Sequence, residues 1–390
     1  PVRTRPIYEM QKEMGAVMGL NYGWEHPLWF ADAPGAQDTN GFTRQNWFDP
    51  VGRECKMLRE KAGIIDISNF AKYVVRGAEA RSWLDAVFAN KMPTEVGRSC
   101  LTPLISVRGG LAGDFTVTLM AEDEYWILGS GMAERYHKRF FDSVPLPEGV
   151  RFDSRTEAVC GFNLAGPLSR KILQRLTNTS LNNEDFQFMR SKCADLAGID
   201  VKMLRVSFTG DLGWEVHCNT ADQKALYTAL LETGKEFGVG PVGSRALMAM
   251  RVEKGYGSWS REYSPEYWPH EQDMDRLCKM DKDFLNKAAL QAVLAQEPRE
   301  QMVLLHLNEA AVTASNADAT GGEPVFKDGN GVGRVTSGAY GYSVGLSLAL
   351  AMVKDVGPGD EVEVMVLGQP HKAKILHQPP FDPMGKKLRA

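Results

Sequence analysis

Ser207-Phe208-Thr209-Gly210-Asp211-Leu212-Gly213-Trp214-Glu215-Val216-His217 is a polar turn between two strand-like runs, Val201–Val206 and Val216–Cys218. Its flanks read as a hairpin, Val201–Phe208 with Trp214–Cys218. An acid at the end of an apolar segment must be paired, hydrated or used, because a buried carboxylate without compensation is costly. Arg108-Gly109-Gly110-Leu111-Ala112-Gly113-Asp114-Phe115-Thr116-Val117-Thr118 repeats the design, with a glycine-rich turn delivering Asp114 into the start of a strand. Each acid also has a bland reading. Asp after glycine commonly hydrogen-bonds its own loop, and Glu215 can be an exposed strand residue paired with a Lys or Arg. Its place beside Trp214, on a short strand after two glycines, favours a ligand contact.

Outward from these hairpins the chain reads as α+β. Residues 1–50 form an irregular, aromatic and proline-rich lead-in carrying Tyr22, Trp24, Trp29, Phe30, Trp47 and Phe48. Helices are expected over Val51–Gly63, Ala78–Phe88 and Ala133–Phe141, with strands at Ile64–Asn69, Lys72–Val75 and Tyr125–Leu128 and a hairpin of Cys100–Val107 with Phe115–Leu119. A strand at Val159–Leu164, a helix at Pro167–Arg175, the Glu215 hairpin and a helix at Ala221–Phe237 repeat this helix-then-hairpin order, which suggests a weak internal duplication. Helices Ser244–Glu253 and Lys282–Ala295 flank an aromatic loop, Tyr256–Pro269. Beyond Glu300 the pattern becomes six short strands with glycine-rich turns, a small β-barrel or sandwich. The expected division is a core over 51–297 and a C-terminal β-barrel over 298–390.

Composition excludes several classes. Apolar residues are 43% and charged residues 24% of the 390, ordinary for a globular protein. A net charge of −4 without a basic run argues against a nucleic-acid binder. No apolar run reaches the roughly 18 residues of a membrane span. The N-terminus lacks the apolar core of a secretory signal. Pro1 fits either a removed initiator Met or a cut edge in a longer polypeptide. Six scattered cysteines with no CxxC pair read as reduced, buried thiols and point to a cytoplasmic or mitochondrial-matrix setting.

Two motifs are set aside. Gly238-Val239-Gly240-Pro241-Val242-Gly243 matches GxGxxG, but a helix precedes it and Pro241 removes a backbone donor. It reads as a helix–helix connection, so no FAD or NAD site is expected. His270-Glu271-Gln272-Asp273-Met274-Asp275 lacks the spacing that puts two histidines on one helix face, and no metal site is expected.

Taken in order, the motifs resemble the folate-binding aminomethyltransferase family, which includes the glycine cleavage T-protein and the folate halves of dimethylglycine and sarcosine dehydrogenases. The resemblance rests on Tyr22–Glu25, Asn46–Cys55, Gly63–Ser68, the Gly110/Asp114 turn, Gly129-Ser130-Gly131 and Leu164–Pro167. Thr209–Glu215, Arg251-Val252-Glu253-Lys254-Gly255, Lys279–Phe284 and Gly333–Gly338 complete it. It is closest to the dehydrogenase branch and implies a three-part cloverleaf around a central tetrahydrofolate channel. Asp114 matches the acid beside the reacting folate nitrogens and Glu215 the acid that grips the pterin. Gly129, Ser130 and Gly131 would let backbone approach the ring, Trp259 matches an aromatic near the p-aminobenzoyl group, and Phe208 and Arg251 belong to the same folate-binding set. Phe208 stands where the family commonly has Tyr, Met248 where many relatives have Asp, and Arg261 replaces a smaller residue.

The implied activity is tetrahydrofolate-dependent one-carbon transfer. A flavoprotein partner would oxidise an N-methyl amine, and the iminium or formaldehyde unit would become 5,10-methylenetetrahydrofolate. Direct methyl transfer from a methylated amine, sulfonium or ether to folate is the second reading, and a non-catalytic scaffold subunit the third.

Overall fold

The strand order repeats in two lobes, and that repeat places both acids. The computed structural model describes residues 3–21 and 23–390; Pro1, Val2 and Tyr22 lie outside the described residues. In chain order the first elements are α1 (Tyr8–Glu13), a hairpin of β1 (Ala16–Asn21) and β2 (Trp24–Phe30), α2 (Phe48–Glu60) and β3 (Gly63–Asp66). The lead-in is therefore regular from α1 to β2, while residues 31–47 carry no helix or strand and are irregular as expected. Trp24 and Trp29 are buried along β2, and the buried Glu54 carboxylate accepts the Phe30 N–H at 2.6 Å and the Gly243 N–H at 2.7 Å. The helix α2 begins at Phe48 instead of Val51, because Pro50 lies in the first turn, where a missing N–H costs no bond.

The first lobe contains β4 (Ala71–Arg76), α3 (Ala80–Val87), β5 (Ser99–Ile105), β6 (Leu111–Ala121), β7 (Glu124–Gly129), α4 (Glu134–Asp142) and β8 (Arg151–Ser154). The second contains β9 (Val159–Ala165), α5 (Ser169–Gln174), β10 (Ser191–Leu196), β11 (Ile199–Leu204), β12 (Gly213–Asn219), α6 (Gln223–Lys235) and β13 (Gly240–Val242). The first sheet runs β5-β6-β7-β4-β8 and the second β10-β11-β12-β9-β3-β13. Matching β4 to β9 superposes the orders, so the internal repeat is present but slipped by one strand from the sequence reading. The cause is β10, Ser-Lys-Cys-Ala-Asp-Leu, whose outward residues are polar and hide its periodicity. Asp114 on β6 and Glu215 on β12 thus occupy non-equivalent strands.

Gly240–Val242 forms β13, parallel to β3, so the GxGxxG stretch is an edge strand and not a bare helix–helix link. After α7 (Ser244–Glu253) a long loop carries the aromatic cluster to α8 (Lys287–Leu294). The remainder is β14 (Gln301–Leu307), α9 (Glu309–Ser315), β15 (Pro324–Lys327), β16 (Asn330–Gly341), β17 (Leu346–Val353), β18 (Glu361–Val366) and β19 (Gln369–Ile375). Those six strands close into a barrel in the order β14-β17-β16-β15-β18-β19. The molecule is α+β, with two sheet lobes and a barrel as its three leaves.

Each sheet has two unlike faces. In the first lobe Tyr73, Val75, Phe115, Val117 and Ile127 point toward Leu84, Val87 and Phe88 around α3 and Phe141 of α4. Alternation turns Asp114, Thr116 and Thr118 the other way. On that opposite face Val74, Met120, Trp126 and Leu128 pack against Val159 and Leu204 of the second sheet. In the second lobe Trp214, Val216 and Cys218 are buried against Leu226, Tyr227 and Leu230 of α6, which turns Glu215 and His217 outward from that core. Each of these large apolar side chains contributes about 1.5–3 kcal/mol by leaving water. Asp114 and Glu215 are therefore both turned away from the helix-backed cores of their own sheets.

Among the described residues no helix is long and apolar enough to cross a membrane. Four of the six free cysteines are buried, as expected from sequence, but Cys193 is exposed.

Candidate folate site

Asp114 lies three residues after the start of β6, opposite Pro103 of β5. The β5–β6 hairpin turn is held by Ser106, whose Oγ accepts the Gly110 N–H at 3.0 Å, while the Leu111 N–H donates to the Tyr267 carbonyl at 3.0 Å. The turn is thus built without the Asp114 carboxylate. Asp114 is half-buried, and its enclosed Oδ1 has no hydrogen-bond partner among the described residues. Burial, only partly offset by its own backbone N–H, pushes the carboxyl up to about 6. An enclosed acceptor with nothing to accept from the protein is chemically suited to an N–H of a ligand.

Glu215 is centred in its sheet, paired with Leu204 of β11 and Asn163 of β9. Its Oε2 lies 3.2 Å from His217 Nε2. Burial pushes the His217 ring below its ordinary value despite the carboxylate, so at neutral pH the imidazole is a neutral partner. Lys72 shares the neighbourhood. Its Nζ is fully buried and donates to the carbonyls of Ser68 at 3.1 Å and Phe70 at 2.8 Å. Burial pushes Lys72 down to about 8, with Glu215 among the charges that oppose the drop.

The β6–β7 ladder, with Thr116 opposite Leu128, carries Gly129, Ser130 and Gly131 alongside the Asp114 end of β6. Packing accounts for both glycines. A Cβ on Gly129 would meet the Phe115 ring at 2.8 Å, and one on Gly131 would meet the Asn69 carbonyl oxygen at 1.8 Å. Ser130 is half-buried. Trp259 arrives at the same corner from the long loop. Its ring centroid is 5.2 Å from that of His137 in edge contact and 6.1 Å from Tyr136. Phe208 stacks on Tyr256 of that loop at 6.4 Å and 22°. Tyr263, in a bridge with Trp259, has its hydroxyl pushed up first by burial and next by the Asp114 charge. One loop therefore borders both Asp114 and Phe208.

Arg251 is 1% exposed, and both its terminal nitrogens bond protein: Nη1 to Glu262 Oε2 at 3.0 Å and the Tyr256 carbonyl at 2.9 Å, Nη2 to Ser337 Oγ at 2.7 Å. Those two nitrogens are directed at the loop and the barrel, while its buried Nε has no partner among the described residues. Asp211, in the opening stretch, is also spoken for. Arg59 of α2 bonds Asp211, the Thr209 carbonyl at 2.7 Å and Glu253 at 2.7 Å, all buried.

Sequence reading missed His137, Glu262 and Tyr263. His137 is 0% exposed, packs at 4.5 Å on Phe115, and neither ring nitrogen has a hydrogen-bond partner among the described residues. Burial pushes it down to about 4. In Glu134-Arg135-Tyr136-His137-Lys138-Arg139 it looks like one more polar helix residue. The available signal was its i, i+4 spacing to Phe141, which places both on the buried face.

Comparison with known proteins agrees with this architecture. Residues 7–282 match the family model of the GCVT N-terminal domain, and residues 301–382 that of the glycine cleavage T-protein C-terminal barrel domain. The mitochondrial dimethylglycine dehydrogenase of Mus musculus is 34% identical over 97% of this chain and 43% of its own length. The 4-methylaminobutanoate oxidase (formaldehyde-forming) of Paenarthrobacter nicotinovorans is 28% identical over 100% of this chain and 47% of its own. This chain thus spans less than half the length of either relative. An aminomethyltransferase of Symbiobacterium thermophilum is 26% identical over 97% of both chains. In fold, the glycine cleavage system aminomethyltransferase T from Bartonella henselae aligns with a TM-score of 0.84 and 21% identity, covering 98% of this chain and 99% of that one. The chain belongs to the aminomethyltransferase family of the glycine cleavage T-protein.

Proposed function

We propose that this chain is a tetrahydrofolate-dependent one-carbon transferase working beside a flavoprotein that demethylates an N-methyl amine. Tetrahydrofolate, when bound, supplies the nitrogen nucleophiles that take up a one-carbon unit at the formaldehyde level, giving 5,10-methylenetetrahydrofolate. The observation that carries the reading is the enclosed, unpartnered Asp114 Oδ1 on the sheet face turned toward the Glu215 lobe.

The residues divide the work. Glu215 accepts N–H groups of an aminopyrimidinone edge through charge-assisted bonds, the stronger kind. His217 orients that carboxylate from one side. Asp114, pushed up to about 6, is ionised at neutral pH yet poorly solvated, so it can accept a proton from an attacking amine. Trp259, with His137 behind it, and Phe208, stacked on Tyr256, supply aromatic walls for the p-aminobenzoyl portion. Ser130 borders the Asp114 end of the sheet, and Gly129 and Gly131 keep that corner's backbone close-packed. Holding both reactants in one space raises their effective concentration. A larger polypeptide or complex is supported by the relatives, about half of whose length this chain spans. A cytoplasmic or mitochondrial-matrix setting suits the chemistry.

The test is turnover with tetrahydrofolate and formaldehyde, separating methylene- from methyl-folate products. Methylene-folate formed faster than the uncatalysed background, and lost in Asp114→Asn, supports the proposal. Methyl-folate formed only from a methylated donor would favour direct demethylation. Equal rates for wild type and Asp114→Asn would favour the scaffold reading.

A further inference from the structure

Glu262 is 0% exposed and accepts four hydrogen bonds from three parts of the molecule. Its Oε2 takes Arg251 Nη1 of α7 at 3.0 Å and the Ser258 N–H of the aromatic loop at 2.9 Å. Its Oε1 takes Thr336 Oγ1 of the barrel at 2.6 Å and also the Ser337 hydroxyl. Consecutive residues of a regular strand point to opposite faces. Here the register of β16 against β17 shifts between Val335 and Ser337, leaving Thr336 as an extra residue. The bulge turns both hydroxyls toward one carboxylate oxygen, and bulges recur where a side chain is re-aimed. Ser337 then receives Arg251 Nη2 at 2.7 Å, closing the ring of contacts.

The same loop is fastened to the C-terminal barrel region by four further hydrogen bonds. Arg261 Nη1 donates to the Thr320 carbonyl at 3.2 Å and the Thr336 carbonyl at 3.4 Å. Arg334 Nη2 bonds Glu266 Oε1 at 2.7 Å and the Tyr267 hydroxyl at 2.5 Å. Tyr267 in turn accepts the Leu111 N–H at the head of the Asp114 strand.

We infer that Glu262 is a positioning residue: it clamps the Trp259 loop between α7 and the barrel, so that the barrel sets the aromatic wall of the folate site. This rests on the folate reading only for its consequence, because the clamp itself is independent of any ligand. The barrel thereby acts on the site through Thr336 and Ser337.

Two variants test it. Glu262→Gln removes the charge, and the Thr336→Val/Ser337→Ala double variant removes the barrel hydroxyls, the acceptor of Arg251 Nη2 among them, and keeps the Arg251–Glu262 ion pair. Amide hydrogen exchange of residues 256–268 is measured against β6 and β12, with 5-methyltetrahydrofolate titrated into each protein. The expected result is exchange at least tenfold faster in the loop alone, with the dissociation constant raised at least tenfold in both variants. Unchanged loop exchange in the folded double variant would overturn the clamp. Faster exchange with unaltered affinity would overturn its link to the site. If wild type fails to bind the probe, the folate reading fails, while the exchange data still decide the clamp.

Discussion

Asp114 and Asp211 each follow a glycine at the edge of a strand, and their surroundings could hardly differ more. Asp211 is 2% exposed and locked to Arg59, which also holds Glu253 and lies 3.5 Å over the Phe381 ring. Asp114 has no ion-pair partner among the described residues and one enclosed oxygen with nothing to accept. The first carboxylate ties the Ser207–Gly213 turn to α2 and α7; the second is tied to no other side chain among the described residues. A glycine-aspartate turn therefore does not define a role. The nearest cation does, because a buried charge is stabilised only by what is arranged around it.

The contrast can be broken at several points. Arg59→Met has the largest expected effect, since it strands Asp211 and Glu253 together in the interior. Losing the central partner of such a cluster costs about 3–5 kcal/mol, measured as a fall in urea-unfolding free energy. A loss below about 1 kcal/mol, the scale of an exposed pair, would erase the distinction drawn here. Next is Asp114→Asn, expected to lower one-carbon transfer by about 10²–10⁴-fold if the carboxylate is a general base, with the far-UV spectrum unchanged. A rate within a few-fold of wild type would assign Asp114 no part in proton transfer.

His137 comes third. Its ring is pushed down to about 4 by burial, while the unfolded chain takes up a proton near its ordinary value of 6.5. Stability from the neutral buried ring is complete above pH 6.5 and is lost as pH falls toward about 4. That shift is worth up to about 3 kcal/mol. His137→Phe removes this dependence, so its acid-unfolding midpoint should move to lower pH; an unmoved midpoint would mean the ring is more hydrated than the packing implies. The smallest effect is on Asp114→Asn stability. The raised carboxyl makes the ionised native state costly above pH about 6 and costs nothing below its ordinary value of 3.8. The variant should therefore gain about 1 kcal/mol at pH 8, after discounting for half-exposure, and nothing near pH 3.5. A gain at both pH values would point to a steric cause.

Much of this was legible in the sequence. All six barrel strands expected beyond Glu300 form, and β18 and β19 show why, since exposed and buried residues alternate along them. The slip in the repeat came from β10, whose exposed Cys193 and Asp195 and half-buried Lys192 leave little apolar signal and mimic a loop. The hairpin of the lead-in was hidden by Pro27, which pairs with Met18 beside a bulge, one of the few places a strand accepts proline. At the site, the motif order nominated Asp114, Glu215 and Trp259, but not what surrounds them. His137 and Glu262 owe their roles to packing between segments over a hundred and about seventy residues apart in sequence, Trp259 with His137 and Ser337 with Glu262. No local pattern encodes such pairings. Arg251 shows the converse: it stood out in its motif, yet its donors reach the loop and barrel.

The central claim is that two carboxylates from different lobes meet one reduced pterin. A crystal structure with 5-methyltetrahydrofolate tests it most directly. The account predicts pterin N–H groups within hydrogen-bond distance of Glu215 and the folate's reacting nitrogens beside Asp114. A folate seated elsewhere, or one that touches neither acid, would contradict it.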